Sequence, residues 1–297
     1  MRVTKAGGAF VIASLCTAAA AAYGSALSSA ATQKVAPVAS VEKLVPKSIK
    51  AKGTLTIASD ASYAPNEFFA SDGHTVIGMD VDLVKALATV MGLKANDVNA
   101  TFATIIPGLK SGKYDIGASS FTDTKAREKV VDFVDYYLAG TSFFTKAQGG
   151  TSVSGLAQLC GKTVAVESGT TELIDATTQS KKCVKEGKAK VNVLTLNTQS
   201  DANFALLGGR AQLSMADSPV ADYQVKKSHG RFKITGKAYG IAPYGLALPK
   251  GNGMAKAVKA ALLVLMKDGA YAHILQKWGI ASGGLPKSKV KIDGATS

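Results

Sequence analysis

Histidine, cysteine and tryptophan are all scarce in this sequence of 297 residues: three, three and one, respectively. Each shortage closes off a chemistry. His74, His229 and His273 stand apart from the polar clusters of the chain, and no Ser/His/Asp or metal-ligand spacing appears, so no nucleophilic enzyme and no metal site is read. Without a CxxC or Cys/His grouping, zinc-type frameworks are excluded as well. No apolar run reaches the roughly 20 residues that a membrane-spanning helix needs. Acidic residues are also outnumbered, 21 against 35 basic ones, giving a formal net charge of +14. Residues 1–30 hold +2 of this, residues 31–52 +4 and residues 281–297 +2, which leaves +6 for the stretch between. That stretch has no basic stripe interleaved with aromatics. The basicity therefore reads as a soluble surface with charged tails, and a nucleic-acid partner is not expected.

What is present begins with MRVTKAGGAFVIASLCTAAAAA, a basic start followed by an apolar run and small residues. Residues 1–30 read as a secretory signal peptide with cleavage near Ser28-Ser29-Ala30, which places the mature protein in the periplasm or at the cell surface. Cys16 raises a lipid-anchored alternative, although Leu15 occupies a position where a small residue precedes a lipidated cysteine. Residues 31–52, rich in Lys, Ala, Ser and Pro, read as a flexible linker. In an exported chain the even pair Cys160 and Cys183 predicts one disulfide.

From Gly53 to Ile280 short apolar runs alternate with amphipathic ones, the pattern of an α/β protein. TLTIAS, KTVAV, VNVLTL and AQLSMA read as strands; DVDLVKALATVMG, TTELIDATTQSKKC, SDANFALLGG and SPVADYQVKK read as helices. TIIPGLK predicts a short helix with Pro107 in its first turn, and Met254 to Trp278 one long helix. An economical arrangement is two lobes, the second inserted into the first, with the chain crossing back near Gly240.

Ligand sites of open α/β sheets lie beyond the carboxyl ends of strands. Four polar clusters fall at such ends: Ser59 to Tyr63, Ser119 to Arg127, Glu167 to Thr171, and Asp217-Ser218-Pro219. Singly, each is explained by helix capping. Together they supply a carboxylate seat, an ammonium seat and aromatic faces.

The segments SDASYAPNEF, GMDVDLVKALA, FATIIPGLKSGKYDIGASSFTDTKAREKVVDF, GKTVAVESGTTE, ADSPVADYQV, APYGLALPKG and LMKDGAYAHILQKWG, in this order and spacing, closely resemble the family 3 solute-binding proteins, the amino-acid-binding proteins of ABC importers. The resemblance covers nearly all of Gly53 to Ile280. It implies a periplasmic-binding-protein-like fold of type II, with two α/β lobes joined by a two-strand hinge and the ligand cleft between them. Lobe 1 would comprise residues 53–142 plus 243–281, lobe 2 residues 143–242, and residues 282–297 a C-terminal tail.

By the same resemblance Arg127 grips the ligand α-carboxylate, Thr122 and Ser120 add donors to it, and Thr170 reaches it from the second lobe at a helix N-terminus. Asp217 takes the α-ammonium. Tyr63 and Phe102 sandwich the ligand side chain, with Asp60 at its far end. Glu167 departs from the family pattern, and Asn66 replaces an aromatic often found after the proline. Two carboxylates, Asp60 and Glu167, would suit a basic amino acid such as arginine, lysine or ornithine. If Glu167 faces solvent, glutamine, another polar amino acid or a compatible solute such as ectoine fits equally. The expected partner is the membrane permease of an ABC importer, the expected state a monomer without cofactor, and the rival a dehydratase on the same fold.

Overall fold

A computed structural model describes residues 35–295. The signal-peptide reading and Cys16 lie outside the described residues. The chain enters through two short helices, α1 (Ala39–Glu42) and α2 (Lys47–Lys52), and Gly53 ends the second in the left-handed conformation. Over residues 35–52 this differs from the flexible linker expected for residues 31–52. Val41 and Val45 are buried in the largest core, so the lysines are the solvent side of a segment whose valines are anchored.

Strand β1 (Thr54–Ser59) leads to a small three-stranded sheet of β2 (Ser62–Tyr63), β3 (Glu67–Phe69) and β4 (Val76–Ile77). Helix α3 (Met79–Val90) then buries Val81, Leu83, Val84, Leu87 and Ala88, the i, i+3, i+4 face its sequence predicts. It is followed by β5 (Lys94–Asn99), α4 (Phe102–Lys110), β6 (Ile116–Gly117) and α5 (Lys125–Glu128). In α4 Pro107 is the sixth residue, not a first-turn residue. The helix begins earlier than the apolar pattern indicates because Phe102 N–H has a carboxylate partner in Asp60.

The long strand β7 (Val131–Lys146) opens the second half of the molecule: β8 (Thr163–Glu167), α6 (Thr171–Lys185), β9 (Asn192–Leu196), α7 (Gln199–Leu207), β10 (Leu213–Asp217) and α8 (Ser218–Lys227). The return strand is β11 (Phe232–Pro249), and helices α9 (Met254–Lys267) and α10 (Ala270–Lys277) follow it. The single long helix expected here is broken where Gly269 takes a left-handed conformation at φ 83°.

Among the described residues eight strands form one sheet in the order β5-β1-β6-β11-β7-β10-β8-β9. Parallel ladders occupy both flanks, and the antiparallel pair β7/β11 runs between them. Residues 242–249 of β11 pair with 131–139 of β7 on the β1/β6 side, whereas 232–235 pair with 143–146 on the β8/β10 side. Register shifts around Tyr239 and Ala242 mark the waist, where Gly140 approaches Tyr239 O so closely that a Cβ would sit 2.7 Å from it. This is a two-lobed α/β fold with a two-strand hinge.

The β1/β6 side is held by a core containing Leu55, Met79, Leu87, Tyr136, Leu246, Val258 and Leu262. The β8/β10 side has a smaller core around Phe143, Leu159, Val164, Val166, Leu213 and Met215, and there Cys160 and Cys183 are joined in a disulfide with Cα atoms 5.6 Å apart. The C-terminal residues also differ from a free tail. Val134 bridges to Ile292 and Tyr137 to Gly284, and Val290 and Ala295 are buried.

Candidate ligand-binding site

The ends of β1, β6, β8 and β10 converge on one cavity lined by Asp60, Tyr63, Glu67, Phe102, Ser119, Ser120, Thr122, Arg127, Glu167, Thr170, Thr171, Glu172 and Asp217. All nine residues to which the sequence assigns a ligand contact are in this lining. Its free volume is about 10 Å³, the space of one water molecule, so an amino acid enters only when the walls separate.

Arg127 stands on α5, whose first turn is capped by Thr124: its Oγ1 accepts from Arg127 N–H at 3.2 Å. The guanidinium donates to Thr122 O at 2.8 Å and to Gly169 O at 3.0 Å, and so reaches both walls. It lies 5.5 Å from the ring centres of Phe102 and Phe121, which stack on each other at 4.4 Å. Burial pulls its pKa down, against the pull of Glu172 and Asp217, which favour the charged form.

Ser120 and Thr170 spend their hydroxyls within the protein. Ser120, at φ 51°, donates its N–H to Asp80 Oδ2 at 2.6 Å, and its Oγ lies 3.2 Å from the same oxygen. Thr170 caps α6, donating to Glu167 O at 2.8 Å and accepting from Leu173 N–H at 3.2 Å. Thr122 Oγ1 is 3.5 Å from Thr171 Oγ1 across the cavity.

Asp217 precedes α8 and accepts from Tyr63 OH at 2.9 Å, while its own N–H donates to the same phenol oxygen at 3.0 Å. Tyr63 thus joins the two walls through its hydroxyl. Burial pushes the Asp217 carboxyl well up, and the Glu172 charge adds to it.

Asp60 Oδ2 accepts from Phe102 N–H at 2.8 Å, and the residue lines the same cavity as Glu167. Glu167 is 2% exposed, which removes the solvent-facing alternative, and its Oε1 has no partner. Burial raises both carboxyls, and Asp60 pushes that of Glu167 further.

Four lining residues carried no assignment from the sequence: Glu67, Ser119, Thr171 and Glu172. Glu67 accepts from Ser119 Oγ at 2.9 Å, and Asp80 behind it accepts from Tyr136 OH at 2.5 Å. Glu172 accepts from Thr141 at 2.8 Å and from Thr171 at 3.1 Å. The signal for Glu172 and Asp80 was masked because an acid in a helix's first turn is an ordinary dipole partner. Glu67 sits in the quoted segment SDASYAPNEF, but only the tertiary fold turns it inward.

The cavity therefore gathers five carboxyl groups around a single guanidinium, and helix α6 points its N-terminus at it. Among the described residues no group of three or more His, Cys, Asp or Glu is placed to hold a metal ion, and no helix is long and apolar enough to cross a membrane. Such a site binds a small, charged, donor-rich molecule by enclosing it.

Comparison with known proteins agrees. Residues 55–281 match the model of the bacterial extracellular solute-binding proteins, family 3. The arginine-binding protein ArgT of Corynebacterium glutamicum is 36% identical over 255 residues, 86% of this chain and 83% of that protein. An ancestral arginine-binding protein bound to arginine superimposes with TM-score 0.69 at 35% identity, covering 76% of this chain and 98% of its own. The same description with glutamine bound gives TM-score 0.69 and 35% identity over 77% and 98%. With its fold, its strand-end cavity and this match over most of its length, the chain belongs to the bacterial extracellular solute-binding proteins of family 3.

Proposed function

We propose that this protein captures a basic amino acid, arginine before others, and presents it in a closed form to the membrane permease of an ABC importer. The observation that carries the choice of ligand is the charge of the cavity: Asp60, Glu67, Glu167, Glu172 and Asp217 against Arg127 alone. A zwitterion with a neutral side chain would leave this excess uncompensated in a buried site, whereas a cationic side chain offsets part of it. The names of the relatives, an arginine-binding protein among them, support the same ligand class.

In this reading Arg127 and the N-terminus of α6 hold the α-carboxylate, Asp217 the α-ammonium, and Asp60 with Glu167 the guanidinium, while Phe102 and Tyr63 flank the aliphatic stem. Thr122, Ser120 and Thr170 shape the carboxylate end, with Ser120 acting through the Asp80 contact that fixes its backbone. Lobe 1 is taken as residues 53–142 with 243–281 and lobe 2 as residues 143–242. The ligand bridges them and so favours closure. The mature protein works outside the cytoplasm as a monomer that binds its ligand and does not transform it.

Glutamine is the second reading, favoured by the glutamine-bound neighbour. A thermal-shift and calorimetric screen of arginine, lysine, ornithine, glutamine and ectoine separates them. Heat with glutamine or ectoine and none with any basic amino acid would overturn the cationic assignment.

A further inference from the structure

Asp60 and Glu167 line one cavity from opposite walls, at the ends of β1 and β8, and both are buried at 4% and 2% exposure. Asp60 Oδ2 has the Phe102 N–H, but the buried Oε1 of Glu167, a residue of the cavity lining, has no donor. Two carboxylates buried in one small cavity repel unless a proton relieves their charge. The surroundings strengthen that demand: Glu67 and Asp80 lie behind Asp60, Glu172 and Asp217 flank Glu167, and Arg127 is the one cation in the lining.

We propose that Asp60 and Glu167 share one proton until a ligand enters, and that loss of this proton on binding lets pH set the choice between a cationic and a neutral amide side chain. The inference rests on the proposed amino-acid site and deepens it. With one proton the pair presents an O–H donor beside carboxylate acceptors. A carboxamide or ureido group matches both, its C=O accepting from the O–H and its N–H donating to the carboxylate. A guanidinium only donates. For it to bind, the shared O–H bond breaks, the electron pair stays on the carboxyl oxygen and the proton passes to the buffer. The two carboxylates left behind then take the N–H groups as charge-assisted bonds. Burial, which holds both carboxyls above their usual range, keeps the pair protonated where free acids would be ionised.

Titration calorimetry of the full chain with arginine and with citrulline, its neutral ureido counterpart, tests this. Measurements run between about pH 5.5 and 8.5 in two buffers of different ionisation enthalpy. Asp217 would release its proton to the buffer on pairing with the α-ammonium of either ligand, so the difference between the ligands reports the Asp60/Glu167 pair. Arginine is expected to release about one proton more than citrulline, and the ratio of their affinities to rise up to about tenfold per pH unit while the pair is protonated. Glu167→Gln is expected to flatten that ratio; should the variant not fold, the wild-type buffer comparison still decides. Equal proton release by the two ligands with a pH-independent ratio overturns the proposal while leaving the arginine site standing. Failure of citrulline and glutamine to bind even at the acidic end overturns it too, and absence of arginine binding at every pH removes both readings.

Discussion

The two walls of the cavity are built differently. On the β1/β6 side the acids are tethered: Phe102 N–H bonds Asp60, Ser119 bonds Glu67, and Ser120 and Tyr136 bond Asp80. That wall rests on the larger core, so its polar groups are preorganised by a buried network. On the β8/β10 side Glu167, Thr170, Glu172 and Asp217 sit at strand ends and helix starts above a smaller core braced by a disulfide. There Glu167 keeps an unpartnered oxygen, and Asp217 finds its side-chain partner, Tyr63, only on the opposite wall. The acids of one wall are tethered within it, whereas Glu167 and Asp217 of the other depend on what that wall closes on. A ligand therefore gains most by replacing cross-wall contacts, which is how binding and closure become one event.

Removing the cation of the tethered wall is expected to have the largest effect. Arg127→Ala loses the cavity's one guanidinium and its link to Gly169 O, and should weaken arginine by about 3–5 kcal/mol, abolishing the ligand-induced rise in melting temperature. A rise equal to that of the wild type would place the carboxylate seat elsewhere. Next comes the brace of the other wall. Opening Cys160–Cys183 should cost about 3 kcal/mol, at about 2–4 °C of melting temperature per kcal/mol for a protein of this size. Calorimetry with and without reductant measures the loss; two titratable thiols in unreduced, denatured protein would contradict the bridge.

Asp217→Asn probes the contact that crosses between the walls. An amide still pairs with Tyr63 but no longer offers charge, so binding should fall by about 1.5–3 kcal/mol with the far-ultraviolet circular dichroism unchanged. Loss of folding would make Asp217 a structural group.

The smallest effect concerns acids away from the ligand. Burial pushes Asp80 up to about 6 and Asp123 up to about 6, and burial together with the nearby Asp123 pushes Asp135 up to about 8. Each binds its proton more tightly in the folded chain than in the unfolded one. Their linkage therefore lowers stability as pH rises from the free carboxylate range through these values, and removes nothing further above them. Melting temperature should accordingly fall between about pH 4 and 8. Asp135→Asn should flatten the upper part of that fall, and a wild-type profile rising over the same interval would show the assignment to be wrong.

Much of this was legible beforehand because local chemistry and tertiary role coincide. Strand-end polar clusters pointed to the site, and the ordered segments around Arg127, Thr170 and Asp217 identified the family. Where the two diverge, the sequence misled. Lysines at 43, 47, 50 and 52 hid the anchoring valines 41 and 45, since a short amphipathic entry segment has too few turns to show a period. Glu67 and Asp80 drew no assignment because nothing local reveals that Ser119, Ser120 and Tyr136 arrive from elsewhere to satisfy them. Ser120 and Thr170 show a related ambiguity: a hydroxyl near a site also caps and cross-links, as both do in this fold.

The inserted topology also bears on the order in which the molecule assembles. The core between Phe143 and Met215 is drawn from one continuous stretch and contains its own disulfide partner Cys183. The larger core joins Val41 to Leu265 and Val290, from opposite ends of the chain. Contacts so distant in sequence pay the greater loop-closure entropy and form late. As the chain emerges from its N-terminus, the middle can fold and oxidise while the first strands wait for the last helices. Binding competence then appears only when the final residues arrive, so a truncated chain would keep a folded, disulfide-bonded middle and have no working cleft.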